Sequence, residues 1–183
     1  MIPFGKPQID SKTIDLVSEV INSGILVHGK YTSLFEKKFA ERVGCKHAIA
    51  VSSCTAGLHL SLFVNNISNG DYVALPAMTH VATAHVVELQ NATPIFVDVD
   101  SNTGNISIKE LEKISKKYPL KAIIPVHYLG LPCEMKEIND LAALNDSLVI
   151  EDCALALDGK YDNKNAGNLG HCGSFSFYPV KHM

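Results

Sequence analysis

The chain has 183 residues, 46% of them hydrophobic and 19% charged, a balance that belongs to a folded globular protein and excludes a disordered one. That length buries a core without disulfide staples and suits one domain or a domain and a fraction. Sixteen Lys and Arg against nineteen Asp and Glu give a net charge of −3, so no basic excess exists to neutralise a nucleic-acid backbone.

Residues 1–10 lack the basic start and apolar core of a signal peptide, and no apolar run reaches the length of a membrane span. The expected location is the cytoplasm, with no membrane partner. The five cysteines, Cys45, Cys54, Cys133, Cys153 and Cys172, are scattered and odd in number, with no C-x-x-C spacing. Buried free thiols suit them better than a disulfide framework or a zinc ribbon. The sequons at Asn91, Asn105 and Asn145 carry no weight without a secretory signal.

Ile14, Val17, Val20 and Ile21 form a helical stripe that Gly24 stops. Ser33 and Glu36 are read as a capping box for the next helix, which carries Leu34, Phe35, Phe39 and Val43 and ends at Gly44. A β-rich run at residues 47–52 predicts a strand, and a helix follows over residues 55–63. A turn at residues 69–71 leads into a strand at 72–75. Val81, Ala82, His85, Val86 and Leu89 recur at helical spacing, and residues 95–99 predict a strand. Ser107 and Glu110 cap a helix bearing Leu111 and Ile114. A continuous apolar strand covers 122–126, and Met135, Ile138, Leu141 and Ala142 mark another helix. Strands at 148–150 and 173–177 complete the series.

Short unbroken apolar strands alternating with amphipathic helices predict an α/β fold, a mostly parallel sheet with helices on both faces. Ligands of such sheets bind beyond the carboxyl ends of the strands, so the residues there are the ones to inspect. After the run at 47–52, small and hydroxylated residues lead straight into a helix start, which favours an anion and serves equally as an ordinary cap. After 148–150 stand Glu151 and Asp152, where an acid can serve a ribose, a metal, a protonated ring nitrogen or a helix cap. Beyond 173–177 stands Lys181, a nucleophilic amine if its pKa is lowered and a solvated charge otherwise. Together the three describe a pyridoxal phosphate site: phosphate held, pyridine nitrogen paired with a carboxylate, aldehyde joined to a lysine.

Two rivals fail on spacing. Residues 24–31 nearly fit a P-loop, but Tyr31 replaces the metal-binding hydroxyl and a helix precedes the loop. His80 and His85 are five apart and share no helix face, and the adjacent His171 and Cys172 have no supporting ligands, so no metal site is expected.

Blocks at residues 53–60, 70–76, 79–83, 94–100, 123–127, 151–154 and 175–181 resemble, in order, the DegT/DnrJ/EryC/StrS family of pyridoxal phosphate-dependent nucleotide-sugar aminotransferases. The resemblance implies the large domain of the aspartate aminotransferase-like fold, with residues 1–183 as its N-terminal part. Lys181 matches the lysine that joins the cofactor, and Asp152 the partner of the pyridinium nitrogen. Thr55 and Ala56 match the phosphate-binding helix start, and Ser176 a further phosphate ligand. His80 falls where the family usually stacks an aromatic ring. Leu155 departs from the family's Gln or His near the ring hydroxyl, and Leu donates no hydrogen bond.

The implied reaction moves an amino group from an amino acid, glutamate by expectation, to a keto-sugar joined to a nucleotide, for amino sugars of surface polysaccharides or secondary metabolites. A homodimer is implied for full-length relatives. Related dehydratases carry His in place of the lysine; Lys181 is retained and His182 is only its neighbour. The family continues beyond the position of Met183, so the alternative expectation is an inactive truncated fragment with exposed apolar surface.

Overall fold

The computed structural model describes residues 7–181. The first six residues of the stretch read as leaderless, together with His182 and Met183, lie outside them. Helix α1 (Ser11–Ser23) is capped by Asp10, whose carboxylate accepts from the Thr13 N–H at 2.8 Å. Gly24 ends it at φ +67°, a left-handed geometry that glycine adopts without a Cβ penalty. Helix α2 (Lys30–Val43) starts a turn before the expected capping box. Gly29 holds its N-cap position, so Ser33 is inside the helix, and Glu36 instead accepts the Ala50 N–H at 2.8 Å. That bond pins the returning chain to α2.

Helix α3 (Cys54–Val64) is followed by strand β1 (Tyr72–Pro76), helix α4 (Val81–Glu88) and strand β2 (Thr93–Val97). Helix α5 (Ile108–Lys117), strand β3 (Leu120–Ile123), helix α6 (Met135–Leu144) and strand β4 (Leu148–Asp152) come next. A two-stranded hairpin, β5 (Lys160–Tyr161) with β6 (Lys164–Asn165), turns on Asp162 and Asn163, both at positive φ. That pair of conformations is the hairpin turn Asp and Asn tolerate best after glycine. Strand β7 (Cys172–Ser174) is last.

The main sheet runs β2-β1-β3-β4-β7 and every pairing in it is parallel. Side chains alternate faces along each strand. Val73, Leu75, Ala122, Ile124 and Ile150 pack with Leu58 and Leu62 of α3 and Val86 and Val87 of α4. Ala74, Ile123 and Val149 pack with Leu111 of α5 and Met135 and Ile138 of α6 on the other face. The expected parallel α/β sheet with helices on both sides is the observed one.

Residues 47–52 are the main correction: among the described residues they form no strand. A strand exists only as part of a ladder, and β7, at the edge, pairs with β4 alone. Ile49 stays 78% exposed, so the segment crosses the surface without a ladder partner. Smaller shifts follow the same logic. β3 stops at Ile123, and Val126 bridges only to Asp152. β7 ends at Ser174, so residues 175–177 have left the ladder.

α2 and the segment after β7 are joined by aromatic rings. Phe39 meets Phe175 edge-on at 4.9 Å and Phe177 at 5.3 Å between centroids, within the favourable range for such pairs. The Asn165 amide donates to the Arg42 and Val43 carbonyls, and Asn168 to that of Gly44. Those bonds satisfy carbonyls that the C-terminus of α2 leaves without partners. No described helix is long and apolar enough to cross a membrane.

Candidate active site

Four chain segments converge beyond the carboxyl ends of the strands. The first is the start of α3. Ser53 caps it, its hydroxyl accepting the Ala56 N–H at 3.0 Å. Gly57 permits close approach of α3 to β7, because a Cβ there would overlap the Ser174 hydroxyl. Ser174 Oγ in turn donates to the Cys54 carbonyl at 2.8 Å. The helix start is thereby seated on the end of β7. Among the described residues, the Cys54 and Thr55 N–H groups have no partner. Such free donors at a positive helix end suit an anion. Ser53 already occupies the Ala56 N–H, so an anion there must share or displace the cap.

The second segment is the end of β4. Strand alternation sends Glu151 and Asp152 to opposite faces. Asp152 turns toward α3 and α4 and is buried. The Thr83 hydroxyl donates to its Oδ2 at 2.9 Å, and the Ala154 N–H to its Oδ1 at 3.1 Å. Cys54 Sγ stands 4.0 Å from Oδ1 and 3.4 Å from the Ser174 carbonyl. Burial, and next the Asp152 charge, push the Cys54 thiol up to about 12, which leaves it neutral.

The third segment is the start of α4. His80 caps this helix, its Nδ1 accepting the Ala82 N–H at 3.1 Å, so a neutral His80 carries its proton on Nε2. The ring is held by the backbone and left exposed. The fourth is the segment after β7. Ser176 is half-buried, and its hydroxyl accepts the Tyr178 N–H at 3.4 Å. The Lys181 N–H donates to the Tyr178 carbonyl at 2.8 Å, which turns the segment back on itself, and Lys181 is half-buried. Cys54 thus joins the start of α3 to Asp152 and to the end of β7. Leu155 lies in the turn after Asp152, half-buried, where it offers no hydrogen bond.

On the opposite face Glu151 and His127 are fully buried 2.8 Å apart. His127 Nδ1 accepts the Cys133 N–H at 3.1 Å, so its proton is on Nε2 and is donated to Glu151. Glu151 also accepts the N–H groups of Gly167, Leu169 and Gly170 at 2.7–2.8 Å. Burial alone would raise its pKa, but His127 and these N–H groups outweigh that and hold it below the usual carboxylate range. His127, Glu151 and Cys153 have ligand atoms within 4.8 Å of one another, yet they make a poor metal site. Both His127 nitrogens and both Glu151 oxygens are engaged, and burial pushes the Cys153 thiol well above its ordinary value. Thr83, Cys54 and His127 are given no site role by the sequence, and Glu151 stands there only beside Asp152 as a general candidate acid. The available signal was a hydroxyl on the buried stripe of α4 and two adjacent acids on one strand.

Polar and ionisable groups gathered at the strand ends of a parallel α/β sheet stand where such folds bind ligands, and comparison with known proteins narrows the class. The model of the DegT/DnrJ/EryC1/StrS aminotransferase family matches residues 7–183. The chain belongs to that family. It is 41% identical over 182 residues to the GDP-perosamine synthase of Escherichia coli O157:H7, covering 98% of this chain and 50% of the synthase. The X-ray structure of an aminotransferase from Psychrobacter cryohalolentis superposes with a TM-score of 0.93 at 35% identity, covering 99% of this chain and 46% of that one. The PLP-form of a putative sugar aminotransferase, Spr1654 of Streptococcus pneumoniae, superposes at 0.92 with 29% identity, covering 98% and 50%. The chain therefore spans about half the length of the relatives it matches.

Proposed function

We propose that this chain carries the cofactor-binding half-site of a pyridoxal phosphate-dependent aminotransferase. In this reading the enzyme transfers an amino group from an amino acid, glutamate, to a keto-sugar linked to a nucleotide, for amino-sugar synthesis in the cytoplasm. Residues 1–183 are the N-terminal part of the large domain, and the working enzyme is a homodimer. The observation that carries the reading is the buried Asp152 carboxylate, held by the Thr83 hydroxyl and the Ala154 N–H, beside Cys54 at a helix start whose first N–H groups are free among the described residues.

The donor set suits the cofactor. The α3 N-terminus, through Thr55 and Ala56, and the Ser176 hydroxyl suit a phosphate; Asp152 suits a protonated ring nitrogen; Lys181 suits an aldehyde. His80 presents an imidazole for stacking, with less area than a larger ring. Leu155 leaves the ring hydroxyl without a donor from that position. Pyridoxal phosphate, when bound, supplies an electron sink that lets an amino acid release its α-proton. Asp152 holds a proton at the pyridine nitrogen. Lys181 Nζ would hold the aldehyde end and, once displaced by the donor's amine, would act as the base that takes the proton from the donor's α-carbon. A lysine here favours amino transfer over the dehydration associated with histidine.

The test is a half-reaction. The purified protein, mixed with pyridoxal phosphate and glutamate, is expected to yield 2-oxoglutarate in amounts stoichiometric with protein, and Lys181→Ala none. Equal release from both proteins would refute the reading.

A further inference from the structure

The Asp152 carboxylate is held by a chain of two hydroxyls that the proposed function does not use. Thr83 has one hydroxyl proton. Its Oγ1 lies 2.9 Å from Asp152 Oδ2 and 2.8 Å from Thr79 Oγ1. A carboxylate only accepts, so the Thr83 proton points to Asp152 and Thr79 must donate to Thr83. The order is fixed as Thr79 to Thr83 to Asp152. Helical threonines commonly bond a carbonyl of the preceding turn. Thr83 instead reaches from α4 to β4, and it is fully buried. Its backbone is held too, since the Thr83 N–H donates to the His80 carbonyl at 3.0 Å in the capped first turn of α4.

We infer that Thr83, backed by Thr79, is a positioning residue that aims the Asp152 carboxylate at the ring nitrogen of the bound cofactor. The inference rests on the proposed function. Asp152 has two anchors, the Ala154 N–H on Oδ1 and the Thr83 hydroxyl on Oδ2. With one anchor removed, the carboxylate turns about the other and its free lone pair swings away. Groups that act on a ligand need placement within about 0.5 Å, which one anchor does not give. The α4 start thus links two features of the site: His80, which caps the helix on the solvent side, and the hydroxyl pair, which fixes the acid on the buried side.

The experiment compares binding of pyridoxal phosphate with binding of its 1-deaza analogue, in which carbon replaces the ring nitrogen, by fluorescence titration of the purified protein. Thr83→Val keeps the shape and removes the hydroxyl. It is expected to weaken pyridoxal phosphate about tenfold, a lost hydrogen bond to a charged group, and to leave the analogue within about twofold. Thr83→Ser is expected to restore binding. Thr79→Val keeps the Thr83 bond to Asp152 and is expected to cost about threefold, again for pyridoxal phosphate alone. It carries the test if Thr83→Val yields no folded protein. Equal weakening of both ligands, or no weakening, overturns the inference and leaves the proposed function standing. Binding of neither ligand by the unsubstituted protein overturns both.

Discussion

Glu151 accepts four hydrogen bonds in a site closed to solvent, and Glu151→Gln removes its charge without changing its shape. Oε1 accepts from Leu169 and Gly170, and Oε2 from His127 and Gly167. An amide offers one oxygen, so whichever way it is placed its NH₂ group faces two donors. His127 cannot relieve this by moving its proton, because Nδ1 would then confront the Cys133 N–H. Two charge-assisted bonds are lost and two buried donors are stranded. The expected cost is about 3–5 kcal/mol. For a chain of this length that lowers Tm by roughly 6–20 °C. The assay is thermal and urea unfolding, with Glu134→Gln, an exposed acid, as control. Acid provides a second readout. A folded-state pKa below the ordinary glutamate value stabilises the protein fully at neutral pH, and the stabilisation fades as pH falls below about 4. The variant should lose that part of the acid transition. Unchanged melting and an unchanged acid limb would refute the reasoning.

Other outcomes follow from single observations. Cys54 and Cys133, with thiols raised to about 12 chiefly by burial, should resist alkylation at pH 8 in the native protein and react on unfolding, read by peptide mass; at that pH about one in ten thousand is thiolate. Gly57→Ala, whose methyl would overlap Ser174 Oγ, should cost about 1–3 kcal/mol in urea unfolding. Gly57→Ala with Ser174→Gly should recover much of it. Asn165→Ala removes the amide donor to two α2 carbonyls and should cost about 1 kcal/mol, seen first as faster hydrogen exchange near residues 42–44.

The sheet was legible because parallel strands buried on both faces are written as short apolar runs, as in Val149 and Ile150 or Ala122 and Ile123. The helices were legible from their apolar stripes and from stops and caps such as Gly24, Gly44 and Ser107, the last of which bonds the N–H three residues on. The run at 47–52 misled because β-branched residues express a preference for ladder partners and say nothing of whether a partner is present. The box at Ser33 and Glu36 misled because Gly29 starts the helix earlier and Glu36 has a distant partner, Ala50. In the site, Asp152, Thr55 and Lys181 stood out by their place after strands or before a helix, and Ser176 by the family resemblance alone. Thr83 and His127 did not, since their bonds join residues 69 and 24 positions apart. Nothing local in the sequence announces such pairs.

The central claim is that Lys181 holds the cofactor aldehyde. The most direct test is borohydride reduction of the purified protein with one equivalent of pyridoxal phosphate, followed by peptide mass mapping. The expected result is one modified peptide, carrying the cofactor on Lys181, and its disappearance in Lys181→Ala. Label spread over exposed lysines such as Lys116 and Lys136, with Lys181 unmarked, would contradict it.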